Sequence, residues 1–416
     1  MERVSSADHR EPEITARHSR LAITGVGVLG TLGVALVSIN LRPGAASVGP
    51  VLEEVRDDVG LSATVAGLMT ALPCLCFGLV GALAVTLAKR IGVTAGVAAG
   101  LVAITTGLLL RSLTGNGVGF LLLSTLALAG MALGNILAPA WIKRHSSDGG
   151  TRGMTIYSTG LAIGGSLGSL FAAPVAQSAP GGWRGSLALW GFVAGIAVIP
   201  WLALTGRERR TFAHHTVPPA APPVRLRASR TAVLMCVYFG MQSMNAYVQF
   251  GWLPQVWRDA GLSNVEAGSW LALIASLGIF GGLIMPSVVN RRGLMTVMVL
   301  VLGALLLGGY FGLLLAPASI PWLWALMLGI SGWSFPGAIA MITARTRNPR
   351  ITAQVSGFVQ PIGYVIAGVG PVAVGIVHEL VGGWTLVLLL LMGTGVIMTA
   401  AGLVLARSGY VDDELA

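Results

Sequence analysis

Long apolar runs separated by short polar loops follow one another along almost the whole chain. There are twelve of them: 21–52, 62–87, 93–111, 118–141, 154–177, 185–205, 231–253, 267–289, 294–315, 320–343, 351–377 and 384–406. A helix needs about 20 consecutive apolar residues to cross a bilayer core. Lipid offers no partner to free backbone groups, so such runs are helical. The pattern predicts an all-α membrane protein with twelve transmembrane helices. The first run is overlong for one centred crossing.

The longest internal polar stretch, 206–230, divides the runs six and six. It is basic and then proline-rich, with Val217-Pro218-Pro219-Ala220-Ala221-Pro222-Pro223. Such sequence forms a semi-rigid spacer without a core. The expected organisation is a cytoplasmic tail (1–20), a six-helix half (21–205), a cytoplasmic connector (206–230), a second six-helix half (231–406) and a cytoplasmic tail (407–416). The halves also repeat. Asp58-Val59-Gly60-Leu61-Ser62 returns as Asp259-Ala260-Gly261-Leu262-Ser263, an offset of 201. At that offset Ala66-Gly67 matches Ala267-Gly268, Arg90 matches Arg291, and Gly181-Gly182-Trp183 matches Gly382-Gly383-Trp384. Parallel six-helix repeats are a transporter architecture with the substrate site near the midplane.

Charge sets the orientation. Of the 26 Lys and Arg residues, 21 lie in the two tails and in the loops after even-numbered runs. The positive-inside rule makes that face, and both termini, cytoplasmic in a multi-pass plasma-membrane protein. Composition agrees, with 54% hydrophobic and 10% charged residues and a mean hydropathy of +0.79, against about 25% charged in soluble chains. The net charge of +10 does not indicate nucleic acid, because the basic residues sit in short loops. Cys74, Cys76 and Cys236 fall inside apolar runs and are expected to be small buried hydrophobes. No Cys/His spacing suggests a metal, and no cofactor is expected.

One residue breaks the apolar pattern. Arg42, in Asn40-Leu41-Arg42-Pro43, lies inside the first run, and the repeat maps it to Ser243 in the middle of run seven. A charge at that depth is costly and by default functional. None of the sixteen acidic residues lies in the middle of a run. A substrate anion would supply the missing charge, since a guanidinium fork suits oxyanions. The bland alternative is an arginine bonded to carbonyls in a hydrated cavity. Pro43 removes a donor and should kink the helix.

Polar stripes suggest the cavity walls. Tyr238, Gln242, Asn245 and Gln249 share one helix face, as do Thr352, Ser356, Gln360 and Tyr364. The expected substrate-binding set is Arg42, Asn40, Gln242, Asn245, Gln360, Tyr364, Tyr238 and Trp333, with Phe335 as a further aromatic wall. Interhelical bonding is the bland alternative for the polar stripes. Trp183, Trp252, Trp322 and Trp384 are expected as interface anchors. Arg111 ends run three near the outer face, where snorkelling is the expectation and anion recruitment the alternative. No carboxylate or imidazole relay stands mid-span and no P-loop is present, so an ATP-driven device or an enzyme is not expected.

Asn40-Leu41-Arg42-Pro43, Ser47-Val48-Gly49-Pro50, Gly60-Leu61-Ser62 and Leu68-Met69-Thr70-Ala71-Leu72-Pro73 resemble the cyanate/2-nitroimidazole transporter family of the major facilitator superfamily. Pro139-Ala140-Trp141-Ile142-Lys143-Arg144, Tyr238-Phe239-Gly240, Trp252-Leu253-Pro254, Phe335-Pro336 and the stretch from Gln360 to Pro371 extend the resemblance across runs one to eleven. It implies a bacterial inner-membrane carrier that works by alternating access on cyanate-like anions or nitroimidazole-like heterocycles. A small-molecule or anionic substrate and the lipid bilayer are the expected partners, with a coupled proton left open and a monomer as the working unit. In the wider superfamily the loop after span two reads Gly-x-x-x-Asp-Arg-x-Gly. Here Lys89 and Asn290 replace the aspartate in the two copies, leaving Arg90 and Arg291 as gating candidates. A multidrug exporter of the same fold and a non-transporting membrane sensor are the alternatives.

Overall fold

The computed structural model describes residues 27–145, 151–211 and 225–415. The tail 1–20, the start of the first run and the proline-rich part of the connector lie outside the described residues. Among the described residues there is no strand. We number the long helices in chain order: α1 (Gly27–Val59, interrupted), α2 (Ala63–Ile91), α3 (Val93–Arg111), α4 (Gly117–His145), α5 (Thr151–Ser178) and α6 (Trp183–Thr211). They continue as α7 (Arg230–Asp259), α8 (Asn264–Val289), α9 (Arg292–Leu315), α10 (Pro321–Ala344, broken at Gly332–Trp333), α11 (Pro349–Val381) and α12 (Thr385–Arg407). A short α13 (Val411–Leu415) follows. Ten of these are long and apolar enough to cross a membrane. The other two are α2, apolar over Thr64–Val80, and α7, whose mid-section carries Gln242, Ser243, Asn245 and Gln249. The chain is a multi-pass membrane protein.

Helix contacts repeat when six is added to each helix number. α3 packs on α4 and α6, α1 on α5, and α2 on α4; α9 packs on α10 and α12, α7 on α11, and α8 on α10. The crossings between the two sets, α2 with α11 and α5 with α8, exchange under the same operation. The sequence repeat has physical content. Gly60 and Gly261 both take positive φ, at 68° and 97°, and end α1 and α7. Ser62 and Ser263 then cap α2 and α8 through their side chains. The indole N–H of Trp183 donates to Asp58 at 3.0 Å, and that of Trp384 donates to Asp259 at 2.7 Å.

The proline predicted to kink the first helix does so. Regular helix stops at Asn40, Arg42 has φ −126°, and a short turn over Pro43–Ala46 follows. Lacking an N–H, Pro43 leaves the Ile39 carbonyl free. Gly164 of α5 sits directly on that carbonyl, where any Cβ would collide. Gly49 similarly meets the Phe250 carbonyl that Pro254 leaves free in α7. Small residues thus let the broken first helix approach both neighbours closely.

We call the face carrying the start of α1 and the end of α12 the tail face. On the opposite, far face several polar contacts join the two six-helix sets. Arg258 of α7 pairs with Glu53 and Glu54 of α1. Thr64 of α2 donates to Glu379 of α11 from its hydroxyl at 2.6 Å and its amide at 3.0 Å. Trp252, expected at the lipid interface, is buried at this end and donates to Pro371 O at 3.1 Å, while Trp384 is half-buried beside Asp259. Trp183 is buried, and Trp322 is exposed at the start of α10. The three cysteines are buried and free.

Candidate functional site

The break after Asn40 matters because it frees Arg42 from a regular helical face. Its guanidinium is half-buried and lines a cavity of about 60 Å³ between the two six-helix sets. About 10–15 Å³ holds one water, so this space suits a few waters or one small ion. Helices α1, α2, α3, α4, α5 and α7 all contribute to the wall, through residues such as Thr70, Arg111, Ser124, Gly165 and Tyr247. Among the described residues no hydrogen bond or ion pair engages the Arg42 side chain, while its carbonyl accepts from the amides of Ala45 and Ala46. The Phe335 ring of α10 lies 6.0 Å from the guanidinium carbon.

An aromatic cluster continues from Phe335. It passes to Phe239 at 5.8 Å and to Tyr364 at 5.1 Å, and Phe77 and Tyr247 flank Tyr364 at 5.5 and 6.4 Å. The hydroxyls of Tyr157, Tyr247 and Tyr364 lie within electrostatic reach of Arg42. Tyr157 donates to Asn135 Oδ1 at 3.0 Å. Arg42, Phe335 and Tyr364 thus lie along one aromatic cluster.

Asn40, Tyr238, Gln242, Asn245, Trp333 and Gln360 do not line this cavity. Asn40 turns back on its own helix and donates to Leu36 O at 2.8 Å. Asn245 donates to Met241 O and Thr394 and accepts from Tyr310 at 2.8 Å, so α9 and α12 absorb it. Gln249 donates to the same Tyr310 hydroxyl at 3.1 Å. Gln242 is buried beside Ser243, and Tyr238 packs against Gly402 of α12. The polar stripe of α7 thus faces its own six-helix set and satisfies itself there. Gln360 donates to Ser356 at 2.7 Å, one turn back on α11. Trp333 anchors the α10 break by donating to Leu277 O at 2.8 Å. Arg90 and Arg291 are exposed at the tail-face ends of α2 and α8.

The largest correction concerns Arg111. It does not snorkel outward. It is 2% exposed, lines the same cavity as Arg42, and donates to Gly44 O at 2.9 Å. The Phe120 ring lies 5.7 Å from its guanidinium carbon. The available signal was local: the following loop, Ser112 to Gly117, has no carboxylate to hold an arginine at the surface. Ser124 and Tyr247 carried no comparable signal.

Residues 34–371 match the Major Facilitator Superfamily. The chain is 31% identical over 356 residues to the cyanate transport protein CynX of Escherichia coli (strain K12), covering 85% of this chain and 91% of that protein. It is 29% identical over 382 residues to the 2-nitroimidazole transporter of the same organism, covering 90% and 94%. The crystal structure of the nucleoside transporter NupG aligns at 14% identity with a TM-score of 0.69, covering 91% of this chain and 99% of that one.

Proposed function

This chain belongs to the Major Facilitator Superfamily, within the cyanate/2-nitroimidazole transporter family, and we propose that it carries a small anion or a compact polar nitrogen compound across the plasma membrane by alternating access. The observation that carries the reading is a guanidinium without a counter-ion in a cavity between two six-helix sets. A buried charge left unpaired is expensive, so water and a mobile anion must share the task of neutralising it. The guanidinium fork suits planar or linear anions, and the aromatic cluster beside it suits a flat ring. The first favours a cyanate-like cargo, the second a nitroimidazole-like one.

The far-face contacts support a state closed on that side, in which rocking about α2–α11 and α5–α8 would expose the cavity alternately. Lys and Arg bias makes the tail face cytoplasmic, with both termini inside. Arg90 and Arg291 remain gating candidates there. The experiment is counterflow uptake of labelled cyanate and 2-nitroimidazole into proteoliposomes. Arg42→Ala should reduce cyanate uptake by at least about tenfold at normal expression. Undiminished cyanate uptake by that variant would remove the anion site. A resistance profile limited to bulky cations would favour an exporter instead.

A further inference from the structure

The cavity has a second charged wall that Arg42 alone does not explain. We propose that Arg111 and Ser124 form the fixed half of a two-guanidinium site, completed by Arg42, that takes a compact anion of a few heavy atoms. This rests on the carrier reading above and adds the residues and the charge of the cargo to it.

Arg111 and Arg42 line one cavity, and no Asp or Glu lines it with them. Arg111 is fully enclosed and its terminal nitrogen is used on Gly44 O, but its Nε has no partner among the described residues. The Ser124 hydroxyl, 2% exposed on the same wall, also has none. Buried donors without partners are rare, and each needs a reason. A purely structural arginine, braced on a carbonyl, gives no reason for an unpartnered donor, a second guanidinium and an idle hydroxyl around one small space. The Arg111 Nε and the Ser124 hydroxyl are both covered as the structure stands, and a compact anion entering the cavity would supply them with an acceptor once the side chains turn toward it. Its size limit follows from the roughly 60 Å³ available.

The two arginines are held differently. Arg111 is fixed within the first six helices, between Gly44 O and the Phe120 ring. Arg42 touches Phe335, which belongs to the second six. When the halves rock, Arg42 changes surroundings and Arg111 does not. Because Gly44 lies two residues from Arg42, the fixed arginine also holds the backbone that carries the mobile one.

The test is thermal unfolding of the purified full-length protein, titrated with potassium cyanate at constant ionic strength. A ligand that binds only the folded state raises the midpoint. Cyanate should stabilise the wild type saturably. Arg111→Gln should weaken that response about ten- to a hundredfold, the range for a hydrogen bond to a charged group. Ser124→Ala should weaken it about two- to tenfold without changing the unliganded midpoint, since the hydroxyl makes no bond within the fold. If Arg111→Gln does not fold, Arg111→Lys and Ser124→Ala decide. Lysine keeps the charge but loses the fork, so it too should weaken binding. Unchanged cyanate affinity in both overturns this proposal and leaves Arg42 as the anchor. A wild type that ignores cyanate overturns the anion reading itself.

Discussion

At the scale of single residues, the same physics separates Arg42 from Asn245. A guanidinium does not shed its charge, so without a carboxylate it must find carbonyls, water or an anion, and an arginine inside an apolar run announces this from sequence alone. An amide can be silenced by ordinary hydrogen bonds. Asn245 is silenced by Tyr310, Thr394 and Met241, on α9, α12 and α7. We therefore expect Asn245→Ala to lower stability by about 1–3 kcal/mol while leaving the KM for cargo unchanged, read by thermal unfolding beside uptake kinetics. A large KM change at unaltered stability would return Asn245 to the cavity. Arg42 was legible because a charge in a greasy helix has few explanations. The facing of Gln242, Asn245 and Gln249 was not, because spacing puts residues on one face without saying which neighbour that face meets. The inward turn of Arg111 is not legible either, because position near a helix end does not give side-chain direction.

At the scale of elements, the broken α1 was foreseeable from Pro43, but its support by Gly164 was not, since that contact spans more than a hundred residues of sequence. The C-terminal α13 shows how a short element is held. Asp412 accepts from the amides of Arg347 and Asn348, at 2.9 and 3.0 Å. Glu414 accepts from the hydroxyls of Ser229 and Thr231. Burial raises both carboxyls, but together these donors lower them below the ordinary range. A carboxylate lowered on docking stabilises the docked state above its free pKa and loses that support as pH falls through its lowered value. α13 should thus stay docked from neutral pH down to the ordinary carboxylate range, about 4, and come loose in stronger acid. A spin label at Gly409→Cys should gain mobility only there. Release near neutral pH would contradict the assignment.

At the scale of the whole molecule, two copies of one six-helix plan meet along α2–α11 and α5–α8. The plan was readable because turn chemistry repeats exactly where geometry demands it: glycines at positive φ, serine caps and the Asp–Trp pairs. Which face carries the polar contacts between the halves was not readable, because they join residues far apart in sequence, such as Thr64 with Glu379 and Arg258 with Glu53 and Glu54. If rocking opens this face, a cysteine pair at Thr64 and Glu379 joined by a short thiol-reactive linker should stop uptake, and cleavage of the linker should restore it. Uptake that survives the cross-link would contradict alternating access at this face.

The central claim is that a small anion supplies the charge Arg42 lacks. Crystals of the protein soaked with selenocyanate, a linear cyanate analogue, place that anion directly through the anomalous signal of selenium. The account predicts a peak in the cavity within hydrogen-bonding reach of the Arg42 guanidinium. An occupied cavity holding only water at Arg42, with selenium bound elsewhere or nowhere, would contradict it.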